Sequence, residues 1–502
     1  MTRHARRART ARMLFALCTL AALFATATTP ARAATDTSAQ AAHLADRLRT
    51  NPVYVTDQFP REVPQSTAPA FAEVAERTGV PTYVIVLPAL SATDPGLLDA
   101  VHKRLGRDGL YVLIDESQVA DAVAHGVDVP ADDAGTVALY EVPYDAGPLR
   151  RFERFAEVIA QGDEKAAAER AEAARARYDD GEEPAALYIG PSDRSDQSSL
   201  TGVLLTGVPL LILLLVPYVR RWWHRLPRAA ATTGAASRKE VKASRALRRT
   251  LPVLALASAV AIAVGAPLVF DETRSSWSPR PRAIDLNARL DRVAEGLAQD
   301  PVYEDPESPR VLGSGRSARL RDRIRAFERS QDGGPVFVSL VPQLTEDESG
   351  GDEEAFAAAV HDKLGEDGVY VVADPASGYI DVFNHGLRLD GYSLLYDLPE
   401  SITYGDDQAD EAEDHLLGER LDALMTILDK TPRTDEPNAP GDPYPVTDPV
   451  TEDELPPLFG PDFWPALFMG VLAAGLVFGL VAGLLGIVRR VLRGRGQTAG
   501  SA

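Results

Sequence analysis

Apolar residues are concentrated in three long runs that predict membrane-spanning helices. Residues 200–219, 251–270 and 463–488 contain no Asp, Glu, Lys or Arg. A helix of about 20 apolar residues rises about 1.5 Å per residue, so it crosses a hydrocarbon core about 30 Å thick. We therefore expect a transmembrane helix at each of these places. Pro209 and Pro217 interrupt the first run, but transmembrane helices tolerate proline.

A shorter apolar run near the N terminus predicts a signal peptide over residues 1–33. The basic stretch MTRHARRARTAR precedes the apolar residues 13–27, and Ala31-Arg32-Ala33 has the small-x-small pattern of a cleavage site. An uncleaved anchor is the alternative. The one cysteine, Cys18, lies within this run, so a mature protein would contain no disulfide bond.

Basic residues are clustered beside the apolar runs and predict the topology. Residues 220–250 and 489–502 are rich in Arg and Lys, with Glu240 as their one acidic residue. Because cytoplasmic loops are enriched in Lys and Arg, we expect a basic cytoplasmic loop and a basic cytoplasmic tail. The chain is then a multi-pass plasma-membrane protein in contact with the lipid bilayer, with residues 34–199 and 271–462 extracytoplasmic. These two regions hold nearly all the acidic residues, which argues against nucleic-acid binding.

Two distant stretches have nearly the same sequence and predict an internal repeat. LGRDGLYVLID at residues 105–115 returns as LGEDGVYVVAD at residues 364–374. Three further blocks match in the same order: NPVYV with DPVYE, PTYVIVLP with PVFVSLVP, and VAHGVDV with VFNHGLRLD. We infer a duplicated domain, with copies at residues 34–178 and 271–430.

Within each copy the pattern alternates between helices and short buried strands. We expect helices at residues 39–49, 97–105 and 149–158 in the first copy and at 284–298, 355–364 and 411–428 in the second. Proline-bounded β-rich runs predict central strands, and residues 110–115 and 369–374 predict the next strand after an Asp-Gly turn. A third strand ends at a His-Gly pair. The predicted fold class is α/β external domains, each a small sheet flanked by helices, plus α-helical transmembrane segments.

Polar segments between these regions are predicted to be spacers. Residues 179–199 form a linker before the first apolar run, and residues 431–462 form a linker rich in proline and acidic residues, which cannot bury a core. The acidic runs at residues 345–354 and 405–414 lack the spacing of an EF-hand loop. We expect them to be solvated loops or helix N termini.

Four aspartates are the first candidates for chemistry. Asp108 and Asp367 lie in the Asp-Gly turns, and Asp115 and Asp374 end the following strand. Calcium and magnesium prefer oxygen ligands, so carboxylates at these positions could bind either cation. The alternative is structural: Asp-Gly forms the turn, and the strand-end aspartates are solvated.

Four histidines recur in the same two regions. His125 and His385 precede a turn glycine, and His102 and His361 lie on the preceding helix. His125 and His385 could act as general acids or bases or bind a metal, or could be structural, whereas His102 and His361 are expected to pack or cap. A Ser or Cys nucleophile motif, a Walker loop, a zinc-ligand spacing and a dinucleotide fingerprint are absent from the sequence. The apolar runs carry no charge that could relay ions, which argues against transport.

The order of strand, helix, DG turn, apolar strand, hairpin and strand resembles the TPM domain family. The resemblance covers residues 44–160 and 290–430. Arg-Asp-Gly and Glu-Asp-Gly stand where that family tends to have Asp-Asn-Gly, and AHGVD and NHGLR replace its glycine–aromatic–glycine run. The resemblance implies a secreted or membrane-tethered α/β module. Family members are associated with acid phosphatase activity, calcium binding, and assembly or repair of membrane complexes.

Two functions are expected from these observations. The first is a membrane-anchored protein of the bacterial cell surface whose two TPM-like domains bind envelope proteins as a non-catalytic module or scaffold. The alternative is a calcium- or magnesium-dependent phosphatase-like enzyme at the outer membrane face, with the four aspartates holding the cation. The tethered, duplicated domains and the missing nucleophile motif favour the first.

Overall fold

The computed structural model describes residues 37–224, 236–270, 277–331, 333–438 and 455–498. The chain divides into two compact units. One is an α/β unit (Met1–Ala185 with Ser278–Pro449), and the other is a helical unit (Ala186–Trp277 with Val450–Ala502). The predicted signal peptide, residues 1–33, lies outside the described residues, as does half of the second predicted linker, residues 439–454.

The first half of the α/β unit, residues 37–185, contains one four-stranded sheet. Its elements are α1 (Ser38–Thr50), β1 (Val53–Val55), α2 (Ala68–Glu76), β2 (Thr82–Val86), α3 (Leu97–Leu105), β3 (Gly109–Ile114), β4 (Val119–His125), α4 (Ala131–Glu141), α5 (Gly147–Gln161) and α6 (Glu164–Asp179). The sheet order is β1-β2-β3-β4; the first three strands are parallel, and β4 is antiparallel to β3. Strands β2 and β3 are buried along their whole length, as continuous apolar runs covered on both faces should be.

Helices cover both faces of this sheet. Helices α1 and α3 pack on one face, where Leu44 joins Ile85 and Tyr111 in a single core. Helices α2 and α5 pack together on the other, where the rings of Phe71 and Phe152 stack with centroids 6.2 Å apart. Side chains of a strand alternate between faces, so each central strand contributes to both layers.

Two long helices come next in the chain, α7 (Pro191–His224) and α8 (Ala236–Val269). Helix α7 contains the whole first predicted span, and α8 contains the second except for its last residue, Phe270; both helices begin before their span. Residues 191–199, predicted as part of a linker, are therefore helical. Both prolines of the first run lie inside α7.

The second half of the α/β unit, residues 278–438, repeats the strand order and directions of the first. Its elements are α9 (Ala283–Gln299), β5 (Val302–Glu304), α10 (Ser314–Glu328), β6 (Val336–Leu340), α11 (Glu353–Leu364), β7 (Gly368–Ala373), β8 (Ile380–His385), α12 (Gly391–Tyr396), α13 (Glu400–Thr403), α14 (Asp407–Asp410) and α15 (Leu417–Leu428). Strands β5, β6 and β7 are parallel, and β8 is antiparallel to β7. One face is covered by α9 and α11 and the other by α10 and α15.

The last element, α16 (Phe463–Thr498), contains the third predicted span. In all, the described residues include three helices long and apolar enough to cross a membrane. Within the helical unit, α16 packs closely on α7 because small residues face each other. A Cβ on Gly202 would overlap Ala466, and Thr206 Oγ1 donates to the carbonyl of Leu467 at 2.8 Å. The α/β architecture and the three apolar helices expected from the sequence are thus confirmed.

Candidate functional site

A polar interface joins the two halves of the α/β unit. The backbone N–H of Arg61 donates to the carbonyl of Glu346 at 2.9 Å, and its side chain donates to the carbonyl of Asp347 at 2.7 Å. Ser66 donates its N–H and its hydroxyl to the carboxylate of Asp285, at 2.9 and 3.0 Å. Both contacts cross from the first half to the second, so the halves form one body.

Arg292 of α9 is the centre of one buried charge network in this interface. Its guanidinium donates to both carboxylate oxygens of Asp57 in the first half, at 2.5 and 3.0 Å. It also donates to Asp305 in its own half at 2.8 Å. Burial alone would raise the pKa of Asp305, but the charge and hydrogen bonds of Arg292, together with the N–H of Glu307, outweigh burial and the net shift is downward. This fork holds one carboxylate from each half.

Glu307 completes the network. It accepts hydrogen bonds from the hydroxyl of Tyr54, at 2.5 Å, and from Thr56, both in the first half. Burial, followed by the nearby charge of Asp57, raises the pKa of Glu307 to about 7. Since a single guanidinium, that of Arg292, faces three carboxyl groups, a proton held by Glu307 lowers the excess negative charge.

Arg289, one turn earlier on α9, is the centre of a second network. Its Nε donates to both carboxylate oxygens of Glu348 at 3.0 and 3.1 Å, its Nη2 to Asp347 at 2.9 Å, and its Nη1 to the carbonyl of Pro342 at 2.7 Å. All three charged side chains are fully buried. Burial raises the pKa of Glu348 to about 8 although the charge of Arg289 opposes the shift. The predicted solvation of residues 345–354 is therefore wrong for this acidic pair, because their partner lies far away in the sequence.

The interface is built from equivalent positions in the two halves. The offset of 249 residues that relates NPVYV to DPVYE pairs Gln40 with Arg289. Gln40 is also buried, and its amide donates to the carbonyls of Ser91 and Glu307, both at 2.6 Å. A neutral amide in the first half thus takes the place that a guanidinium takes in the second.

A stacked pair of histidines lies at one end of the first sheet. The rings of His102 on α3 and His125 at the end of β4 are parallel within 5°, with centroids 3.7 Å apart, and both meet the edge of Tyr111. Asp99 Oδ1 lies 3.2 Å from His125 Nε2, and Asp108 Oδ1 lies 3.8 Å from His102 Nε2. Each ring of the pair therefore has a carboxylate beside it.

The second sheet has a histidine pair in the same place. The rings of His361 and His385 are 5.0 Å apart, and both meet the edge of Tyr370. His385 is only 3 % exposed, and neither of its ring nitrogens has a hydrogen-bond partner among the described residues. Burial, followed by the charge of His361, lowers the pKa of His385 to about 4. His385 therefore favours its neutral form and packs as an apolar ring.

The four predicted cation ligands do not come together. Asp108 and Asp367 precede strands β3 and β7, whereas Asp115 and Asp374 follow them, so about 20 Å of strand separates the two members of each pair. Asp115 is buried and accepts backbone N–H groups of Ser117 and Gln118 at 2.7 and 2.6 Å.

The strand-end aspartate of the second half behaves in the same way. Asp374 accepts the N–H of Ala376 at 2.8 Å and the hydroxyl of Ser377 at 2.7 Å, so both strand-end carboxylates stabilise hairpin turns rather than remaining solvated. Across the described residues, no three His, Cys, Asp or Glu side chains are grouped as metal ligands would be. Cation binding by any one of these aspartates stays a prediction.

The interface residues were missed by sequence reasoning, although one signal for them exists. Arg289 lies three residues after Leu286 and one before Leu290, within the apolar stripe that predicts α9. A charged residue on a buried stripe needs a buried partner. That position could have indicated an ionic contact, but not which acidic residues would supply it.

Comparison of the chain with protein-family models, with curated proteins and with solved structures found no match.

Proposed function

We propose that this chain is a membrane-anchored cell-surface protein that displays two TPM-like domains, related by duplication, as one non-catalytic binding or scaffold module for envelope proteins. The observation that carries the proposal is the hydrogen-bonded fork between Arg292 of the second half and Asp57 of the first. Two domains locked by a buried charge network present one fixed composite surface. A fixed surface suits partner binding better than closure around a substrate.

The membrane part of the proposal rests on the three apolar helices and on the basic residues beside them. Arg220 and Arg221 follow the first span, and Arg489 and Arg490 follow the third. Under the positive-inside rule these ends are cytoplasmic, and both α/β halves then belong outside the cell.

The non-catalytic part rests on where the unusual acidic groups lie. Glu307 and Glu348, whose pKa values are raised furthest toward neutrality, are fully buried against arginines and out of reach of a substrate. The aspartates that a cation-dependent phosphatase would need are held at opposite ends of β3 and β7. These placements favour the binding module over the enzyme.

Site-specific photocrosslinking in intact cells tests the proposal. A photoreactive residue replaces Tyr144 in the first half or Tyr392 in the second, which are 77 % and 68 % exposed. We expect each probe to crosslink to discrete envelope proteins. Arg292→Met should abolish these products by separating the halves, whereas Arg319→Met, at an exposed position on α10, should leave them unchanged. Crosslinks that persist in Arg292→Met would contradict the composite surface.

A second experiment addresses catalysis. The full chain in lipid nanodiscs is titrated with Ca²⁺ and with Mg²⁺ in a calorimeter and assayed with p-nitrophenyl phosphate. We expect no cation-dependent turnover. Turnover that is lost in Asp115→Asn or Asp374→Asn would overturn the non-catalytic assignment.

A further inference from the structure

The outer edges of the two sheets differ in how far they are covered. Strands β4 and β8 are the antiparallel edge strands of their sheets. All of β8 is buried except Asp381, which is half-buried, whereas every residue of β4 is half-buried or exposed. An edge strand carries N–H and C=O groups that can pair with another extended segment. The first sheet therefore presents an edge that the second sheet hides.

In the second half the chain pairs a segment of its own with the residues that continue from this edge strand. Residues 432–438 run antiparallel to residues 386–390, which follow β8, with a bridge between Leu389 and Arg433. The backbone bonds are Gly386 N–H to Asn438 O at 3.0 Å, Asn438 N–H to Leu387 O at 3.0 Å, Thr434 N–H to Arg388 O at 3.1 Å and Asp390 N–H to Pro432 O at 3.0 Å. The side chain of Asn438 also donates to the carbonyl of Asn384 in β8 at 2.8 Å. An extended segment is thus held here mainly through its backbone.

The first half offers the same backbone without that segment. The offset of 260 residues that relates His125 to His385 pairs Ala124 with Asn384 and residues 126–130 with 386–390. Gly126 has φ +68° and Gly386 has φ +87°, so the chain leaves both edge strands through the same left-handed turn.

The polar groups of this backbone point outward. Ala124 is opposite Leu110, whose N–H donates to Pro81 on the far side of β3. In an antiparallel pair, such residues direct their own N–H and C=O away from the partner. Within the described parts of the chain, nothing donates to the carbonyls of Ala124 or Asp128, and the N–H of Gly126 donates to nothing.

An acidic groove follows the open edge. This edge groove has a volume of about 710 Å³ and is lined by residues 121–124, by residues 129–133, and by Glu164, Lys165 and Ala168 of α6. Its charged members are Asp121, Asp132, Asp133, Glu164 and Lys165. Four acidic groups against one basic group select for a cationic occupant.

We propose that the edge groove binds an extended, Lys- or Arg-rich segment of a partner protein by strand addition. The backbone of that segment pairs antiparallel with residues 124–129, as residues 432–438 pair in the second half. Its basic side chains face Asp132 and Asp133. Main-chain hydrogen bonds give such a complex its affinity, and the charges give it its selectivity. This inference rests on the proposed binding function, because it names how and by what chemistry a partner is held.

Peptide binding to the full chain tests the proposal. The chain is reconstituted in nanodiscs of phosphatidylcholine, a lipid without net charge, and the probe is a fluorescent peptide of alternating Arg and Val. We expect saturable binding and slowed hydrogen exchange of the amides at residues 119–129. Asp132→Asn/Asp133→Asn should weaken binding about three- to tenfold. The matched double variant Glu172→Gln/Asp179→Asn, on the exposed side of α6, should bind like the unaltered chain.

A peptide of the same charge with N-methylated valines separates strand addition from simple ion attraction, because it lacks half the backbone donors. Weak binding of this analogue supports the proposal. Equal binding, protection away from β4, or no binding of either peptide overturns it. If the peptides fail while the cell-surface crosslinks still depend on Arg292, the edge groove is wrong and the binding function stands. If those crosslinks are absent, the binding function itself fails.

Discussion

The two halves of the α/β unit share a strand order but differ at equivalent positions. In the first half, the buried residue of the leading helix is Gln40, a neutral amide bonded to two carbonyls. In the second half it is Arg289, bonded to two buried carboxyl groups. The continuous apolar strands determine the sheet in both halves, so the polar contacts around it can differ without changing the fold. Buried charge is therefore concentrated in one half.

The same contrast holds at the sheet edges. In the second half, residues 432–438 pair with the residues that follow the buried strand β8, whereas β4 remains accessible beside an acidic groove. The edge strand of the second half is buried, and the edge strand of the first half is accessible. Under the proposed binding function, we expect the open edge of the first half to hold a segment of the partner.

The largest expected effect comes from removing the buried cation. Arg289→Met leaves Asp347 and Glu348 buried without a counter-charge and should destabilise the second half by about 3–5 kcal/mol. Gln40→Met, its counterpart, removes only neutral bonds and should cost about 1–2 kcal/mol. Native-state hydrogen exchange at increasing urea concentrations measures both losses of stability. Tryptophan fluorescence would not, since all four tryptophans lie in the helical unit. Equal losses would remove the contrast between the halves.

The next effect is a pH dependence centred on Glu348. Because its pKa is raised to about 8 in the folded state, its contribution to stability is complete below its ordinary pKa of 4.5 and is lost as the pH rises through 8. We expect a loss of about 2–4 kcal/mol over this window. Glu348→Gln should remove its share of that slope and leave the share of Glu307, whose pKa is raised to about 7, whereas the exposed Glu172→Gln should leave the slope unchanged. A slope that is unchanged in Glu348→Gln would assign it wholly to other groups.

A somewhat smaller effect of opposite sign belongs to His385. Its pKa is lowered to about 4, so its contribution to stability is complete above 6.5 and is lost as the pH falls through 4. The groups that face it are His361, Tyr370, Asp362 and Asp367. The unaltered chain should lose at most about 3 kcal/mol of stability over this window, and His385→Phe should not show this loss. The difference between the pH–stability curves of the variant and the unaltered chain measures it. If His125→Phe changes the curve as much, the two histidine pairs are alike.

The smallest effect should be the same in both halves. Gly126 and Gly386 have positive φ, so Gly126→Ala or Gly386→Ala should each cost about 1–2 kcal/mol. The added Cβ would also overlap Asp108 or Asp367, but those exposed carboxylates can move aside. Gly135→Ala, within α4 and in open space, should instead stabilise by about 0.5–1 kcal/mol. Thermal unfolding, monitored by hydrogen exchange, measures the stability of all three variants. Unequal losses of stability in the two turn variants would show that the halves differ here too.

Much of the fold could be predicted because it is encoded locally. The helix predicted at residues 97–105 is α3, and the predicted strand at 110–115 matches β3 to within one residue at each end. Strands β1 and β5 were not predicted as strands, because three residues are too few to show a period. Helix α6 was missed as well, since its buried stripe consists of alanines among charged residues.

The candidate site was harder to predict because its contacts are distant in sequence. Each histidine was noticed, but the stacking of His102 on His125 depends on how α3 packs beside β4. Glu307 lies 253 residues from the tyrosine that donates to it. A local sequence pattern cannot predict such distant pairs. The acidic composition of residues 345–354 predicted a solvated segment, although Asp347 and Glu348 are buried.

The interface also constrains how the protein is made. Asp57 and its partner Arg292 are 235 residues apart, with two apolar helices between them. At about 5–20 residues per second, the first half emerges about 10–50 s before the second. During that interval its unpaired face, with Gln40, Tyr54 and Thr56, can hydrogen-bond to water. An apolar face would instead promote aggregation during synthesis. Because the interface is polar, the first half can remain soluble until the second half has been made.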